Sequence, residues 1–332
     1  MHKDTMAVEA QMNPVQNAAV DDGAAALKRC IACGAGEAKF MLKAPDRFYG
    51  RPKLFRLLRC SQCSHVWLDD PPKPEEMYQH YGPDYDRVIS KYEDIAPQKW
   101  RDRRDTISKH KPAGSLLDIG CSSGAFLASM KGPDWQLSGI EMSADTAKRA
   151  ETRSGGRIFA GDIMDAPFAP QSFDVITCFD VLEHVYEPQR VLAQVNNWLK
   201  PGGIFYVLVP NIDSGEARGF KTYWYGLELP RHLSHFSPKS LGRLAQAAGM
   251  EVVSLQTYPN SALGHSTRYV IDDLLGSIGI SRPPMAFAKE PSLPRKVVRK
   301  LFRMTVAPIL YRSMSLLGAG ESIHAIFRKA NP

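Results

Sequence analysis

The sequence predicts an α/β chain: an open, parallel sheet flanked by helices, with a small cysteine-bearing unit in front of it. Three observations predict this. Strand-like apolar runs alternate with helical stretches from Leu116 onward. A turn of small residues, Gly120-Cys121-Ser122-Ser123-Gly124, joins the first of those strands to its helix, and four of the six cysteines fall in two C-x-x-C pairs. The 332 residues, 44% hydrophobic and 23% charged, suffice for one large domain plus an appendage and exclude wholesale disorder. The longest aliphatic or aromatic run, Ile204 to Val209, falls far short of the ~20 residues that span a bilayer. Residues 1–27 are rich in Ala, Asp, Gln and Asn, lack the pattern of a signal peptide, and read as a flexible tail.

Cys30 and Cys33 form one pair and Cys60 and Cys63 the other, with 26 residues between them. Zn2+ takes four thiolates in a tetrahedron, and each C-x-x-C turn brings two sulfurs to one side of the ion. Lys39 to Lys43 and Lys53 to Arg59 read as short strands in the interval, which is how a zinc ribbon is built. Two disulfides or redox chemistry are the other uses of such pairs; disulfides need an oxidising compartment, and no export signal is legible. A segment with so few large apolar groups would draw most of its folding free energy from the ion, on the order of 10–16 kcal/mol in peptides, so a zinc here is expected to be structural. A Pro-rich junction, Asp69 to Pro74, and a polar stretch carrying Tyr78, Tyr81, Tyr85 and Tyr92 follow.

Leu116 to Ile119 is a short apolar strand. The small residues after it let the backbone approach a ligand closely, and the helix beyond offers free N–H groups. Asp118 sits at the end of that strand, before the first glycine, where a carboxylate suits a ligand bearing an ammonium group better than a pyrophosphate. Trp135 to Glu141 is a second strand ending in an acid, 21 positions after Gly120, which suits a carboxylate accepting both hydroxyls of a ribose. Arg157 to Ala160 leads to Gly161-Asp162. Phe173 to Phe179 is followed by Asp180-Val181-Leu182-Glu183-His184, and Leu199-Lys200-Pro201-Gly202-Gly203 closes a helix and turns into the strand Ile204 to Val209. All the ligand-facing ends fall on one carboxyl edge.

Asp118-Ile119-Gly120, Glu141, Gly161-Asp162, Phe173-Asp174-Val175 with Glu183-His184-Val185, and Leu199 to Gly203 together resemble the class I S-adenosylmethionine-dependent methyltransferases over roughly Ser115 to Tyr258. The resemblance is closest to the ubiquinone-biosynthesis O-methyltransferase-like branch and its bacterial relatives with an N-terminal four-cysteine ribbon. Ser122 stands where the D-x-G-x-G-x-G motif has its middle glycine. The resemblance implies a seven-stranded Rossmann-like sheet, mostly parallel with the last strand antiparallel; the paired cysteines add a small N-terminal zinc ribbon, and the long interval before the last strand, where this fold usually has a short hairpin, adds a helical insertion. The resemblance also implies a donor site: Gly120, Cys121 and Gly124 around the methionine portion, Asp118 on its ammonium, Glu141 and Met142 at the ribose, Asp162 and Ile163 at the adenine, and Phe179 near the sulfonium.

Methyl transfer is an in-line displacement at an activated carbon, so the protein mainly aligns the reactants and excludes water. A hydroxyl acceptor must also lose its proton. His184, His232 and His235 are the candidate bases, with packing or capping as the alternative role for each. If Val181 opens a helix, Asp180, Glu183 and His184 face one way, and the resemblance implies Mg2+ on that trio. Otherwise Glu183 and His184 cap or line the pocket floor.

From Tyr258 to the end, eleven Lys and Arg oppose four Asp and Glu, an excess equal to the whole chain's net charge of +7. Met250 to Tyr258 reads as the sixth strand and Glu321 to Lys329 as the seventh, with about 60 residues between them. Within that interval Val297, Val298, Leu301, Phe302 and Thr305 recur at helical spacing, and Arg295, Lys296, Arg299, Lys300 and Arg303 fill the other positions. Such a helix over 294–312 suits an anionic membrane surface, or else packs on the domain with a solvated basic face. The expected division is a tail over 1–27, a zinc ribbon over 28–70, and a linker with helical lead-in over 71–112. A donor-binding domain over 113–259 and 320–332 is interrupted by a basic amphipathic insertion over 260–319. The expected function is S-adenosylmethionine-dependent O-methylation of a hydroxylated small molecule, sugar or lipid-linked glycan, in the cytoplasm and peripheral on the inner membrane face. The alternatives are an RNA methyltransferase using ribbon and basic helix, and a non-catalytic binder of the donor. Against RNA, the basic positions lack interleaved aromatics apart from Phe302.

Overall fold

The computed structural model describes residues 29–82, 97–259, 263–287 and 320–330. The expected tail, most of the tyrosine-bearing stretch and the basic segment 294–312 lie outside them. Two sheets organise the rest. The larger has seven strands, β4 (Gly114–Ile119), β5 (Trp135–Glu141), β6 (Arg157–Ala160), β7 (Phe173–Phe179), β8 (Leu199–Pro210), β10 (Met250–Tyr258) and β11 (Ser322–Lys329). Their order is β10-β11-β8-β7-β4-β5-β6, and β11 runs antiparallel to both its neighbours. This is the seven-stranded, mostly parallel sheet that the sequence implied.

The central strands read as apolar runs because helices cover both faces. Leu116, Leu117, Val175, Ile176, Phe205 and Val207 have no exposed surface. The strand β8 begins at Leu199 rather than after the Pro-Gly-Gly turn, because Leu199 pairs with Phe173 of β7.

Helix limits follow local chemistry. Helix α4 (Ala144–Ser154) starts where the Ser143 hydroxyl accepts the Thr146 N–H and stops at Gly155, left-handed at φ +69°. Helix α7 (Pro238–Ala247) has Pro238 in its first turn and a reciprocal cap between Ser237 and Ser240. Its Leu241, Leu244 and Ala245 are buried, in one core cluster with Met250 of β10. The remaining helices are α1 (Pro74–Met77), α2 (Pro97–His110), α3 (Ala125–Ser129), α5 (Pro188–Trp198), α6 (Gly215–Phe220) and α8 (Leu263–Ser277). No helix among the described residues is long and apolar enough to cross a membrane.

The smaller sheet contains β1 (Ala38–Asp46), β2 (Arg51–Cys60) and β3 (Val66–Leu68), close to the two strands expected between the cysteine pairs. Its fourth strand, β9 (Ser234–His235), comes from the far end of the chain and pairs with Val66 and Trp67. An isolated bridge from Phe236 to Asn211 then ties this sheet to the carboxyl tip of β8. The cysteine-bearing unit therefore shares a sheet, and a core cluster, with the rest of the protein.

Candidate active site

Strand order reverses at β4, which has β5 on one side and β7 on the other, so a crevice opens between the carboxyl ends of β4 and β7. On the β4 side, Gly120 (φ +71°) and Gly124 (φ +74°) hold left-handed backbone. A Cβ on Gly124 would lie 2.8 Å from the Ala150 backbone, and one on Gly120 would run into Val181. Ser122 is also left-handed, at φ +46°, so the turn keeps its shape at a strain of about 1–2 kcal/mol. Buried Cys121 packs in the core beneath this turn.

Each expected acid is anchored. Asp118, 4% exposed, accepts from the Thr177 hydroxyl at 2.6 Å. Both oxygens of Glu141 accept backbone N–H groups, from Ser122 and Ser143, each at 3.0 Å. Asp162 accepts the Met164 N–H at 2.8 Å, with Ile163 half-buried beside it. A carboxylate offers about four lone-pair sites, so these bonds orient the acids and leave acceptor capacity. Met142 and Met164 stand 67% and 38% exposed at the tips of β5 and β6. Anchored acids with uncovered apolar side chains between them fit a nucleoside, which brings hydroxyls and a flat ring. Replacing Thr177 by Val removes the hydroxyl that donates to buried Asp118. The expected result, read by denaturant unfolding, is a loss of about 1–3 kcal/mol in stability.

Phe179 ends β7. Its ring meets Phe126 and Tyr206 edge-on, and the Arg103 guanidinium lies 4.1 Å from its centroid. The chain then turns sharply at Asp180, whose φ of +58° is left-handed, and a single 3-10 turn, Leu182–His184, replaces the expected helix. That corrects the placement of the trio. Asp180 reaches toward Arg103 and Lys99, at 3.7 and 3.8 Å. The ligand atoms that converge to within 4.8 Å belong instead to Glu183, His184 and His232. Nothing in this arrangement supports Mg2+ on Asp180, Glu183 and His184.

The histidines differ in what their rings can do. A carbonyl only accepts, so His184 Nδ1, 3.0 Å from the Arg231 carbonyl, and His232 Nδ1, 2.9 Å from the Gly226 carbonyl, must each carry a proton. Both rings are left with Nε2 as the basic nitrogen. They pack edge to face at 4.6 Å, and the Tyr81 hydroxyl lies 2.9 Å from His184 Nδ1. Beside them Glu183 Oε2 is buried without a hydrogen bond among the described residues, and burial followed by repulsion from Asp180 raises its carboxyl well above the usual range. His235 is tied down the other way. It lies in β9, with Nε2 against the Leu227 carbonyl at 3.1 Å and Nδ1 buried, so sheet pairing withholds it from the crevice.

Burial holds His65, His184, His232, His235 and His324 below the ordinary imidazole value, His65 to about 3 and the last two to about 4. An imidazole neutral in the fold and free to protonate when unfolded makes the unfolded chain bind more protons. Its contribution is complete above about pH 6.5 and is lost as pH falls toward the folded value. Glu183 and Glu216 oppose this, because burial raises both, Glu216 to about 7, so falling pH favours their folded form. His80 is lowered by burial as well, so six imidazoles outweigh two carboxyls. The expected denaturant midpoint is lower at pH 5 than at pH 7, and an equal midpoint would contradict this charge assignment.

The four paired cysteines converge as well. Cys30 and Cys63 Sγ lie 3.6 Å apart, Cys33 and Cys60 Sγ also 3.6 Å, and all four sulfurs fall within 4.8 Å of one another. None is in a disulfide. A tetrahedron with ~2.3 Å metal–sulfur bonds has sulfur–sulfur edges of about 3.8 Å, so the set fits a zinc ion. The Gln62 and Cys63 N–H groups both donate to Cys60 Sγ at 3.4 Å. Against the effect of burial they bring its thiol down to about 7. Helices α5 and α7 brace the two knuckles through Gln189 on the Ala32 carbonyl and Arg243 on the Gln62 carbonyl.

A family profile described as a methyltransferase domain matches residues 92–255. A ubiquinone biosynthesis O-methyltransferase of Chromobacterium violaceum is 30% identical over 190 residues, 52% of this chain and 79% of the relative. The chain belongs to the class I S-adenosylmethionine-dependent methyltransferases. The enzyme of the same description from Thiobacillus denitrificans is 30% identical over 172 residues, 47% of this methyltransferase and 71% of the relative. Among solved structures, a phosphoethanolamine N-methyltransferase 2 of Haemonchus contortus in complex with S-adenosyl-L-methionine superposes with a TM-score of 0.50. It is 16% identical, covering 80% of this chain and 62% of that one, a likeness of fold.

The methyltransferase also gathers residues that no motif signals. Arg103, 4% exposed on α2, and Tyr81 belong to the site only because the fold brings them there. Glu228, left-handed at φ +35°, has Oε2 3.6 Å from His232 Nε2. The expectation for His184 and His232 had a local signal; these three did not.

Proposed function

We propose that this methyltransferase methylates an oxygen of a hydroxylated small molecule, sugar or lipid-linked glycan. The observation that carries the reading is the pair of imidazoles, His184 and His232. Backbone carbonyls fix the proton of each on Nδ1 and leave Nε2 basic, next to the turn that begins at Asp180. The relatives described as O-methyltransferases support the same chemistry.

In this reading Gly120, Cys121 and Gly124 cradle the methionine portion of the donor and Asp118 meets its ammonium. Glu141 and Met142 take the ribose, Asp162 and Ile163 the adenine, and Phe179 closes over the reacting end. S-adenosylmethionine, when bound, supplies a methyl carbon activated by positive sulfur. His232 or His184 removes the acceptor proton, which a base held neutral by burial does without first losing its own proton. Cys30, Cys33, Cys60 and Cys63 hold zinc in a structural role, and the ribbon over 28–70 fastens the strand β9 that follows His232.

The test is methyl transfer from labelled donor to a panel of phenols, nucleotide sugars, extracted glycolipids and total RNA. Label in one of the first three supports the reading and is expected to fall in a His232→Ala chain. Label in RNA alone overturns it in favour of nucleic-acid methylation. Tight donor binding with no transfer to any of them overturns it in favour of a non-catalytic binder.

A further inference from the structure

Among the described residues Arg231 is the largest charged side chain with no exposed surface, and its whole guanidinium is engaged. Nη1 and Nη2 donate to Asp46 Oδ2 and Oδ1, each at 3.2 Å; Nη1 also reaches the His80 carbonyl, and Nε reaches Glu228 Oε1, both at 3.2 Å. The guanidinium faces the rings of Phe48 and Tyr49 at 5.1 and 5.3 Å. Asp46 is the last residue of β1, 185 positions away in sequence, and has no exposed surface either. Exposed ion pairs such as Arg59 with Asp213, 34% and 41% exposed, contribute little. A fully buried pair is different: its desolvation is offset only by complete, well-aligned bonding, so it selects one arrangement of the segments it joins.

The main-chain carbonyl of Arg231 is the acceptor that sets the His184 tautomer, at 3.0 Å from Nδ1. The side chain of Arg231 holds Glu228, whose other oxygen faces His232 Nε2 at 3.6 Å. A carboxylate on the N-terminal hairpin thus stands behind both imidazoles without touching either.

We propose that Asp46 is a positioning residue for methyl transfer, clamping Arg231 so that residues 228–232 present His184 and His232 in one tautomer and one orientation. The hairpin is then part of the active site's support. The proposal rests on the acceptor-side role given to those histidines above.

The test compares the zinc-loaded full chain with Asp46→Asn and Asp46→Glu, and with a double Asp46→Leu/Arg231→Met chain. The double variant covers the case in which the single one fails to fold, since an apolar pair of similar size commonly preserves a core where a half-removed pair does not. Two readouts are taken at fixed pH in chains that bind donor with the parent's affinity. One is the nitrogen-15 imidazole signature of His184 and His232. The other is kcat and KM with whichever acceptor the labelled-methyl panel identifies. The Asn and double variants are expected to lose the single Nδ1–H pattern and to drop kcat on the order of 10- to 100-fold with donor affinity unchanged, and the Glu variant is expected to restore part of both. An unchanged imidazole pattern in a donor-binding Asn or double variant overturns the proposal. Should no acceptor be found for the parent, the O-methylation reading fails on its own, and the imidazole pattern still decides the role of Asp46.

Discussion

A Cys60→Ser/Cys63→Ser chain is expected to carry no zinc, where the parent carries about one ion per chain, and to lose the order of the whole hairpin β1–β2. Zinc bound by four thiolates contributes on the order of 10–16 kcal/mol in small domains, as much as the total stability of an ordinary protein of ~5–15 kcal/mol. The hairpin's other anchors are a few buried side chains, Ala44, Phe55, Leu57 and Leu58, and the Asp46–Arg231 pair. Phe40 and Leu54 are 43% and 51% exposed, and its buried side chains pack against residues of the other sheet's loops, among them Trp224, Leu227 and Leu233. Because β9 pairs with β3 beside the cysteine knuckle, disorder should spread to His232 and stop short of the Gly120–Gly124 turn on the central sheet. Elemental analysis and limited proteolysis between 38 and 60 check this. A variant that keeps the parent's proteolytic pattern would contradict it, as would a metal-free parent.

The second large effect is expected from Gly124→Ala. A left-handed alanine costs about 1–2 kcal/mol by itself. Here its Cβ would also meet Ala150 Cα and O at 2.8 Å, backbone that no rotamer can move aside. Relief requires α4 to shift away from the turn, and α4 follows Glu141 and Ser143, whose bonds shape the end of the crevice proposed to take the ribose. The expected loss of donor affinity is on the order of 10- to 100-fold, about 1.4 kcal/mol for each factor of ten. Gly132→Ala, where a Cβ meets nothing within 4 Å, is the control and is expected to leave affinity unchanged. Calorimetric titration of the two variants side by side checks the difference.

The sheet was legible because its signals are local. Each strand from Leu116 to Phe179 is a short, largely apolar stretch that ends at a small residue or an acid, and a strand–turn–helix unit can be recognised within about a dozen residues. The paired cysteines were legible for the same reason. Three features were not. A helix opening at Val181 would put Asp180, Glu183 and His184 on one face; the left-handed turn at Asp180, beside Lys99 and Arg103 of α2, prevents it. The strand β9 has two residues and exists because β3 offers an edge to pair with, so no periodicity could announce it. His235, chosen beside His232 for its imidazole, is drawn into that pairing. The link between Asp46 and Arg231 spans nearly two hundred positions and depends on β9 having closed the smaller sheet.

The proposed methyl transfer presupposes that the crevice between β4 and β7 takes the donor. Isothermal calorimetry of the folded, zinc-loaded chain with S-adenosylmethionine and with its demethylated product measures that directly. One site per chain, weakened in the Gly124→Ala variant, is the predicted result. A chain with native circular dichroism and full zinc that gives no heat with either compound would contradict the account at its centre.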